Sequence, residues 1–512
     1  MYPGTWAREA PDDIATIMSG GPLDGLRQTY KELDDRSGQL ARVFLAQGLT
    51  RGDHVAFVLE NRPEVFEVYW AALRCGLYVT AVNSHLSPAE VAYIVSDCEA
   101  RVLVVSAALS GMAEEIVADT PKVELRLAVG GPIPGHEDYE AALAAQQPGP
   151  LEDQPCGMDM LYSSGTTGRP KGIKRDLPER QVDEPGDPML TGFGEAYAFG
   201  RDSVYYSPAP QYHSAPLRFG AMVHALGGTL VIADRFDAER ALADIERHRI
   251  THSQWVPTMF VRMLKLPDEV RHRYDLSSLR VAVHAAAPCP VEVKRKMIEW
   301  WGPVLEEYYS STESPGATRI SSAEWLEHPG SVGQAKVGIL RICGDDGAEL
   351  PAGQIGTIYF ERDIETFSYH GDPAKTAESR HPDHPLWATT GDIGYVDDDG
   401  WLYLTDRKSF MIISGGVNIY PQEIEDALAL HPAVHDVGVI GVPDEEMGEQ
   451  VKAVVVAAEG ATPGPELERE LLEFVRSRIA HYKCPRSVDF TDSLPRTPTG
   501  KLVKRRIVER YR

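Results

Sequence analysis

The sequence predicts an α/β protein with a large N-terminal domain of doubly wound, mostly parallel sheets and a small α+β C-terminal domain. At 512 residues the chain is too long for one compact unit. Apolar strand-like runs alternate with amphipathic helices along most of it, which is typical of parallel sheets. After about Thr405 the alternations become shorter. We therefore place the domains at residues 1–406 and 407–512.

The first β-α-β unit lies near the N-terminus. The segment "HVAFVLE" from His54 predicts a strand, and "RPEVFEVYWAALRCG" from Arg62 predicts an amphipathic helix. A second strand, "LYVTAVN", begins at Leu77. Because the connection is helical, the two strands are expected to run parallel in one sheet.

The next helix carries clear start signals. Ser87 suits the N-cap position, Pro88 suits the first turn, and Glu90 completes a capping box before the strand "RVLVVS". The same order of strand and helix recurs in "GTLVIADRFDAERALADIERHRI" from Gly228 and in "LRVAVHAAAPCPVEVKRKMIEWWG" from Leu279. These repeats extend the doubly wound pattern.

Composition argues against several classes of partner and location. With 51 Lys and Arg residues against 76 Asp and Glu residues, the formal net charge is −25, which disfavours nucleic acid as a partner. The six cysteines are scattered without metal-ligand spacing and are expected to be reduced. Neither a secretory leader nor a membrane-spanning segment is recognisable, so we expect a cytoplasmic protein.

The segment "LYSSGTTGRPKGIKRD" from Leu161 combines backbone freedom, hydroxyl groups and positive charge. It is not a Walker A loop, because Gly165 and Gly168 enclose only two residues and Gly172 follows Lys171 directly. Turned-in amides, hydroxyl donors and a lysine would still form a clamp for a polyphosphate. Taken alone, the segment is equally compatible with a solvated Gly/Ser turn.

Three further segments accompany this loop: "YYSSTES" from Tyr308, "TGDIGYVDDDGWLYLTDRKSFMIISGGVNIYPQEIE" from Thr390, and "LPRTPTGKLVKRRI" from Leu494. With all four in this order, nearly the whole chain resembles the ANL superfamily of adenylating enzymes, which includes acyl-CoA synthetases, peptide-synthetase adenylation domains and luciferases. The resemblance implies that a carboxylate attacks the α-phosphorus of ATP, pyrophosphate leaves, and a thiol then displaces AMP. Positioning and electrostatics are expected to dominate such chemistry.

The resemblance assigns roles to individual residues. The residues implied in catalysis are Lys501, Glu313, Thr312, Thr166 and His213. Those implied as Mg²⁺ ligands are Glu313 and Thr166. The residues implied in binding ATP or coenzyme A are Ser163, Ser164, Gly165, Thr166, Thr167, Gly168, Lys171, Ala286, Ala287, Pro288, Tyr309, Ser310, Ser311, Thr312, Asp392, Arg407, Gly415, Gly416 and Lys501.

By the same resemblance, Asp392 accepts hydrogen bonds from the ribose hydroxyls, and Arg407 makes a second contact, to the ribose or to a phosphate. The segment "HAAAPCP" from His284 flanks the adenine, with Tyr309 on its other face. His284 and Ala285 stand where the family usually has Ser-Gly, so the adenine contact differs in detail.

Lys501 is implied to reach both the substrate carboxylate and the α-phosphate, since its ammonium is a point charge on a flexible stem. The basic residues after it are either a solvated tail or contacts for the phosphates of coenzyme A. Gly415 and Gly416 line the pantetheine tunnel in this reading, and Ser409 matches the hinge between the domains.

The segments "YIVSDCEARVLVVS" from Tyr93 and "YKCPRSVDF" from Tyr482 resemble bacterial acyl-CoA synthetases of the fatty-acid type, which implies ATP, Mg²⁺ and coenzyme A as cofactors. The apolar segment "LRFGAMVHALGG" from Leu217 and the surroundings of Ser310 suggest a hydrophobic acid, with medium- or long-chain fatty acids first and aryl or polycyclic acids next. A stand-alone ligase for a carrier protein is the alternative. A nucleotide-binding scaffold is a third reading, which Lys501 and Glu313 argue against. Homodimer formation and peripheral membrane contact are both compatible with the sequence.

Overall fold

The computed structural model describes residues 2–163, 170–407, 410–414, 417–444, 447–496 and 502–511, with the backbone alone at 406, 407 and 418. Two large sheets form its centre. In spatial order, the nine-stranded sheet comprises Gln334–Val337, Ala317–Ser321, Leu305–Tyr309, Val281–His284, His252–Trp255, Val204–Ser207, Thr229–Ala233, Ile14–Ser19 and Arg27–Thr29. The six-stranded sheet comprises Glu137–Asp138, Leu125–Val129, Val102–Ser106, His54–Val58, Tyr78–Ala81 and Met158–Asp159.

The pairing within these sheets is mostly parallel. All neighbours in the six-stranded sheet run parallel. The nine-stranded sheet is parallel from Leu305–Tyr309 to Ile14–Ser19, and only its edge strands are antiparallel. The predicted fold class, including the parallel doubly wound sheets, is confirmed.

Helices cover both faces of the two sheets. The α-helices are Pro3–Glu9, Tyr30–Ala46, Glu64–Leu73, Pro88–Asp97, Ser110–Glu115, Tyr139–Ala144, Ser214–Leu226, Ala238–His248, Pro257–Leu264, Asp268–Arg271, Val291–Trp301, Ser322–Glu327, Pro373–Glu378, Pro421–Ala429, Pro465–Arg476 and Lys504–Val508. Short 3-10 turns occur at Gly21–Leu23, Ala107–Leu109 and His481–Lys483, and a π-helical turn occurs at Leu190–Gly194.

The main hydrophobic core lies between the two sheets. The helices Tyr30–Ala46, Glu64–Leu73 and Ser214–Leu226 contribute buried residues such as Phe44 and Phe66 to one cluster that also contains strand residues of both sheets. Separate clusters cover the outer face of each sheet. Burial on both faces explains why these strands read as nearly continuous apolar runs.

The predicted start of the helix Pro88–Asp97 is confirmed. The Ser87 hydroxyl accepts a hydrogen bond from the Glu90 backbone amide at 3.4 Å, and the Glu90 carboxylate accepts one from the Ser87 amide at 2.9 Å. This reciprocal capping box satisfies two amides that the helix leaves unpaired.

Two smaller antiparallel sheets border the large ones. Three strands form the first: Ser368–Tyr369, Lys171–Lys174 and Leu161–Ser163. The second contains Ile339–Cys343, Gly356–Glu361, Asp392–Val396 and Leu402–Arg407, with Trp387–Ala388 beside Gly356–Glu361. The first sheet contains Ser163 and Lys171, at the two ends of the Gly/Ser-rich motif, and the second contains Asp392 of the motif that begins at Thr390.

The C-terminal part of the chain has its own sheet and core. Its strands are Val417–Ile419, Ile412–Ser414, Gly448–Ala457, Val434–Asp444 and Ser487–Phe490. Ile424, Val455 and Leu471 are buried in a cluster of residues from this part alone. The predicted boundary between residues 406 and 407 falls one residue before the end of the strand Leu402–Arg407, and we retain the two-domain division as a proposal.

Among the residues that the structure describes, no helix combines the length and apolar character needed to cross a bilayer. The six cysteines are free thiols, and five of them are buried.

Candidate active site

A cavity of about 710 Å³ opens beside the ends of several parallel strands. Trp255, Ala285 and Tyr308 line it, and they lie at or just after the ends of His252–Trp255, Val281–His284 and Leu305–Tyr309. Ligands of open α/β sheets bind at the carboxyl ends of the strands. The position of this cavity therefore follows from the fold.

The segment after the strand Leu305–Tyr309 forms one wall of the cavity. Ser310, Ser311, Thr312 and Glu313 all line it, as the sequence predicts. The Ser310 hydroxyl donates to the Gly316 carbonyl at 2.8 Å. The Thr312 hydroxyl lies 3.1 Å from that of Ser214, the first residue of the helix Ser214–Leu226.

Glu313 is 7% exposed and is held by a residue that the sequence analysis did not single out. The Tyr369 hydroxyl donates to the Glu313 carboxylate at 3.1 Å. Tyr369 comes from the strand Ser368–Tyr369, 56 positions along the chain, and no local pattern links the two residues. A carboxylate at the cavity wall offers a hard oxygen ligand of the kind that Mg²⁺ prefers.

Lys171 and Ser163 face the same cavity from the three-stranded sheet. They are partners in the antiparallel register, so the loop between them begins and ends at one place. The Lys171 ammonium lies 5.2 Å from the centre of the Tyr369 ring, within reach of a cation–π contact. Burial lowers the pKa of Lys171.

Several predicted residues lie outside the described part of the chain. They are Ser164, Gly165, Thr166, Thr167, Gly168, Gly415, Gly416 and Lys501. Ser409, the predicted hinge, lies outside it as well. A small cavity of about 150 Å³ is lined by Ser414, Val417 and Tyr482, close to the predicted pantetheine segment.

The predicted ribose contact is built from two motifs. Asp392 accepts hydrogen bonds from the Tyr309 hydroxyl at 2.7 Å and from the Thr390 hydroxyl at 3.0 Å. The backbone of Arg407 is the register partner of Asp392 in the antiparallel pair. The structure therefore brings Tyr309, Asp392 and the Arg407 backbone together, although they are far apart in sequence.

The predicted adenine segment follows the strand Val281–His284. Ala286 lines the cavity and, like Ala287, is exposed, and Pro288 is half-buried. His284 is fully buried below the segment, 3.6 Å from the Glu307 carboxylate. Burial and the nearby Lys294 ammonium hold the pKa of His284 well below its usual range, so the imidazole is neutral.

Ala286 has a backbone φ of +75°, in the left-handed region that favours glycine. Such a conformation costs about 1 to 2 kcal/mol for a residue with a Cβ atom. Replacing Ala286 with Gly should remove that cost. It should also lower the free energy of unfolding by roughly 0.5 to 1 kcal/mol, because glycine gives the unfolded chain more conformational entropy. We therefore expect the free energy of unfolding to rise slightly, by about 0.5 kcal/mol.

The matched control for this substitution is Ala287→Gly, because Ala287 is the exposed neighbour and does not have a positive φ. This control should lower the free energy of unfolding in urea by about 0.5 to 1 kcal/mol. Equal losses in the two variants would contradict strain at Ala286.

The other end of the cavity is aromatic. His213 is the N-cap of the helix Ser214–Leu226 and lines the cavity, with its ring 4.6 Å from that of Tyr212. The Phe193 ring lies 5.0 Å from Tyr308 and 5.4 Å from Phe219. Edge and tilted packing of this kind makes a rigid apolar wall.

Comparison with known proteins fits this geometry. Residues 4–368 match the model of the AMP-binding enzyme family, and residues 423–501 match that of the AMP-binding enzyme C-terminal domain. The chain belongs to the AMP-binding enzyme family. The resemblance to adenylating enzymes of the ANL superfamily is thereby confirmed.

Relatives within the AMP-binding enzyme family are similar over nearly their whole length. A feruloyl-CoA synthase of Amycolatopsis is 33% identical, over 99% of both chains. The long-chain-fatty-acid–CoA ligase FadD13 of Mycobacterium tuberculosis is 31% identical, over 96% of this chain and 94% of its own. The solved structure of ATP-bound MatB from Rhodopseudomonas palustris has a TM-score of 0.80 at 28% identity, covering 100% of this chain and 99% of that one.

Proposed function

We propose that this protein is an ATP-dependent ligase that adenylates a hydrophobic carboxylic acid and then transfers the acyl group to coenzyme A. One observation carries the proposal: the phosphate-loop end at Lys171, the carboxylate of Glu313 and an apolar pocket share a single cavity. Relatives named as CoA ligases support coenzyme A as the acceptor. The same function follows from the sequence motifs.

In this proposal, one end of the cavity binds the nucleotide and the other binds the acid. Lys171 and the loop before it bind the β- and γ-phosphates, while Thr312 donates to the α-phosphate. Asp392 fixes the ribose, and the backbone near Ala286 flanks the adenine. His213 stands between the nucleotide and the apolar wall, where the reacting carboxylate has to lie.

The described residues also fit the expected metal ion. They contain no cluster of three or more acidic, His or Cys side chains that could form an all-protein metal site. Mg²⁺ is usually held by one or two carboxylates together with substrate phosphates, and Glu313 supplies one carboxylate at the cavity wall. The ion would stabilise charge that develops on the phosphate oxygens.

The class of acid is a narrower proposal. The sequence favours medium- or long-chain fatty acids, and the relative FadD13 is named for such a substrate. The rings of Phe193, Phe219 and Tyr308, however, meet at the apolar end of the cavity, with centres 5.0 to 6.0 Å apart. We therefore favour a compact acid with a ring, which was the second choice from the sequence, over a long flexible chain.

Two assays test the proposed ligase function and the proposed class of acid. ATP–pyrophosphate exchange across acids graded in length and ring content should show adenylation, and thioester formation with coenzyme A should follow for the same acids. Exchange without a thioester on coenzyme A, but with one on an acyl carrier protein, would favour the carrier ligase. Absence of exchange with every acid would reject the enzyme reading.

Ser310 should influence which acid is used, because it lines the cavity beside the apolar wall. In Ser310→Leu the larger side chain should reorder the acids by about 10-fold or more in kcat/KM while ATP affinity changes little. Ser310→Ala is the control, since it removes the hydrogen bond to the Gly316 carbonyl without adding bulk. A uniform loss for all acids in Ser310→Leu alone would count against a place in the acyl pocket.

The remaining expectations concern the whole molecule. We propose that residues 407–512 form a domain that takes two orientations, one for each half-reaction. A cytoplasmic location remains our expectation from the sequence, and a homodimer and peripheral membrane contact remain compatible with it.

A further inference from the structure

Three charged side chains meet beside the aromatic end of the cavity. Asp159 ends the strand Met158–Asp159 and its side chain is 1% exposed. Arg218, in the helix Ser214–Leu226, donates to both of its carboxylate oxygens, from Nε at 2.6 Å and from Nη2 at 3.1 Å. Arg175, just after the strand Lys171–Lys174, also donates to Asp159.

The charges in this cluster do not balance. Two guanidinium groups, which stay protonated at any ordinary pH, face one carboxylate. Burial alone would raise the pKa of Asp159, but Arg218 and Arg175 outweigh it and hold that pKa below the usual range, so the carboxylate is ionised. Burial raises the pKa of the neighbouring phenols Tyr69 and Tyr308, so neither supplies a negative charge. The cluster therefore carries one net positive charge.

Two N–H donors of the arginines in this cluster lack a close hydrogen-bond acceptor among the described residues. In the described part of the chain, Arg218 uses Nε and Nη2 on Asp159, and Nη1 makes one long contact of 3.4 Å to the Thr312 carbonyl. The Nε atom of Arg175 is buried and has no hydrogen-bond partner among those residues. A buried cation with incomplete pairing is costly, so a further hydrogen-bond acceptor bound at Arg218 would be stabilising.

The Arg218 side chain forms part of the cavity wall. It lines the cavity together with Phe193, Phe219 and Tyr308. Its side chain is 11% exposed, so it is accessible only from the cavity side. The Arg218 Nη1 atom lies 3.4 Å from the Thr312 carbonyl, and the Thr312 hydroxyl lies 3.1 Å from that of Ser214. A group bound by Arg218 would thus lie beside Thr312, at the aromatic end of the cavity.

We propose that Arg218 is a specificity residue and that the acid carries, in addition to the reacting carboxylate, a second carboxylate that Arg218 binds. Asp159 and Arg175 hold the Arg218 guanidinium in place and leave its Nη1 edge for the substrate. A ring between the two carboxylates would pack against Phe193 and Tyr308. This proposal rests on the ligase function proposed above and narrows its substrate class.

Pairs of acids with the same shape and different charge test the proposal. A nitro group has nearly the outline of a carboxylate but no net charge, so terephthalic acid is compared with 4-nitrobenzoic acid, and 4-carboxycinnamic acid with 4-nitrocinnamic acid. We expect the carboxylate member of at least one pair to have the higher kcat/KM with the wild-type protein, by about 10- to 100-fold. A preference for the nitro member in both pairs would overturn the proposal.

Substitution of Arg218 then shows whether that preference comes from the guanidinium. Arg218→Met should lower the carboxylate-to-nitro ratio of kcat/KM by about 10- to 100-fold, mainly through KM for the acid. The control is Arg247→Met, an exposed arginine paired with Asp24 at 3.6 Å, which should leave the ratio unchanged. Equal losses for both members of a pair in Arg218→Met would show a merely structural role.

The wild-type comparison does not depend on the folding of any variant. It also separates this proposal from the ligase function. If neutral acids give CoA thioesters and no acid with a second carboxylate does, only the second-carboxylate site is rejected. If no acid of either kind supports ATP–pyrophosphate exchange, the ligase function itself is rejected.

Discussion

Replacing Glu313 with Gln is expected to lower ATP–pyrophosphate exchange by about 100- to 1,000-fold at low Mg²⁺. The substitution keeps the shape of the side chain and removes its negative charge. Glu313 is buried at the cavity wall, and the other carboxylate among the described lining residues, that of Glu378, is paired with Lys375. The loss should become smaller as Mg²⁺ is added, because a weakened metal ligand raises the concentration that is needed.

Two further variants sharpen this experiment. Tyr369→Phe removes only the hydroxyl that donates to Glu313 at 3.1 Å, so it should change the Mg²⁺ dependence in the same direction by a smaller factor. Glu140→Gln makes the same chemical change at an exposed carboxylate paired with Arg36, and should behave like the wild type. Unchanged exchange in Glu313→Gln at low Mg²⁺ would remove this residue from the metal site.

Lys501→Ala should abolish the first half-reaction and spare the second. We expect acyl-adenylate formation from ATP and acid to fall by about 100- to 1,000-fold, because one positive charge near the transferring phosphoryl group is lost. Conversion of a supplied acyl-adenylate and coenzyme A to the thioester should continue. Lys501 is placed by the resemblance alone, but the helix Lys504–Val508 just after it is tied to the C-terminal sheet. In that helix Lys504 pairs with Glu425 at 3.0 Å, and Ile507 is buried.

Two comparison variants are expected to differ from Lys501→Ala: one should impair only the second half-reaction, and the other should impair neither. Gly416→Leu should block the pantetheine path and so impair thioester formation while adenylation continues. Lys122→Ala removes an exposed lysine that pairs with Glu99 at 2.6 Å, and should leave both half-reactions intact. Equal impairment of both half-reactions in a folded Lys501→Ala protein would indicate one fixed domain arrangement instead of two.

Most of the architecture could be predicted from local patterns. The capping box at Ser87 and Glu90 needs only residues three positions apart, and the strand His54–Val58 needs only a short apolar run between turns. Such signals depend on backbone hydrogen bonding and periodic burial, which the sequence displays directly. Strand ends were less certain: the segment from His54 was expected to continue to Glu60, whereas the strand ends at Val58.

The candidate site was only partly predictable. Glu313, Thr312 and Asp392 stand in motifs, and Glu313 and Thr312 line the cavity as expected. Tyr369 and Arg218 were not singled out, because an isolated tyrosine or a helical arginine carries no chemical signature. What makes them matter is the group each one contacts, and that contact depends on the packing of separate sheets and helices.

The sequence by itself determined the parallel α/β architecture, the family of adenylating enzymes and the motifs that we propose to bind the nucleotide, since these depend on local periodicity and short fixed spacings. Only the tertiary structure decided that the Tyr369 hydroxyl donates a hydrogen bond to Glu313 and that Asp159 accepts hydrogen bonds from Arg175 and Arg218. Asp159 and Arg218 are 59 positions apart, and Glu313 and Tyr369 are 56 apart. Contacts at such separations depend on how strands are ordered and how helices pack between two sheets, and no pattern within a single strand or helix specifies that arrangement.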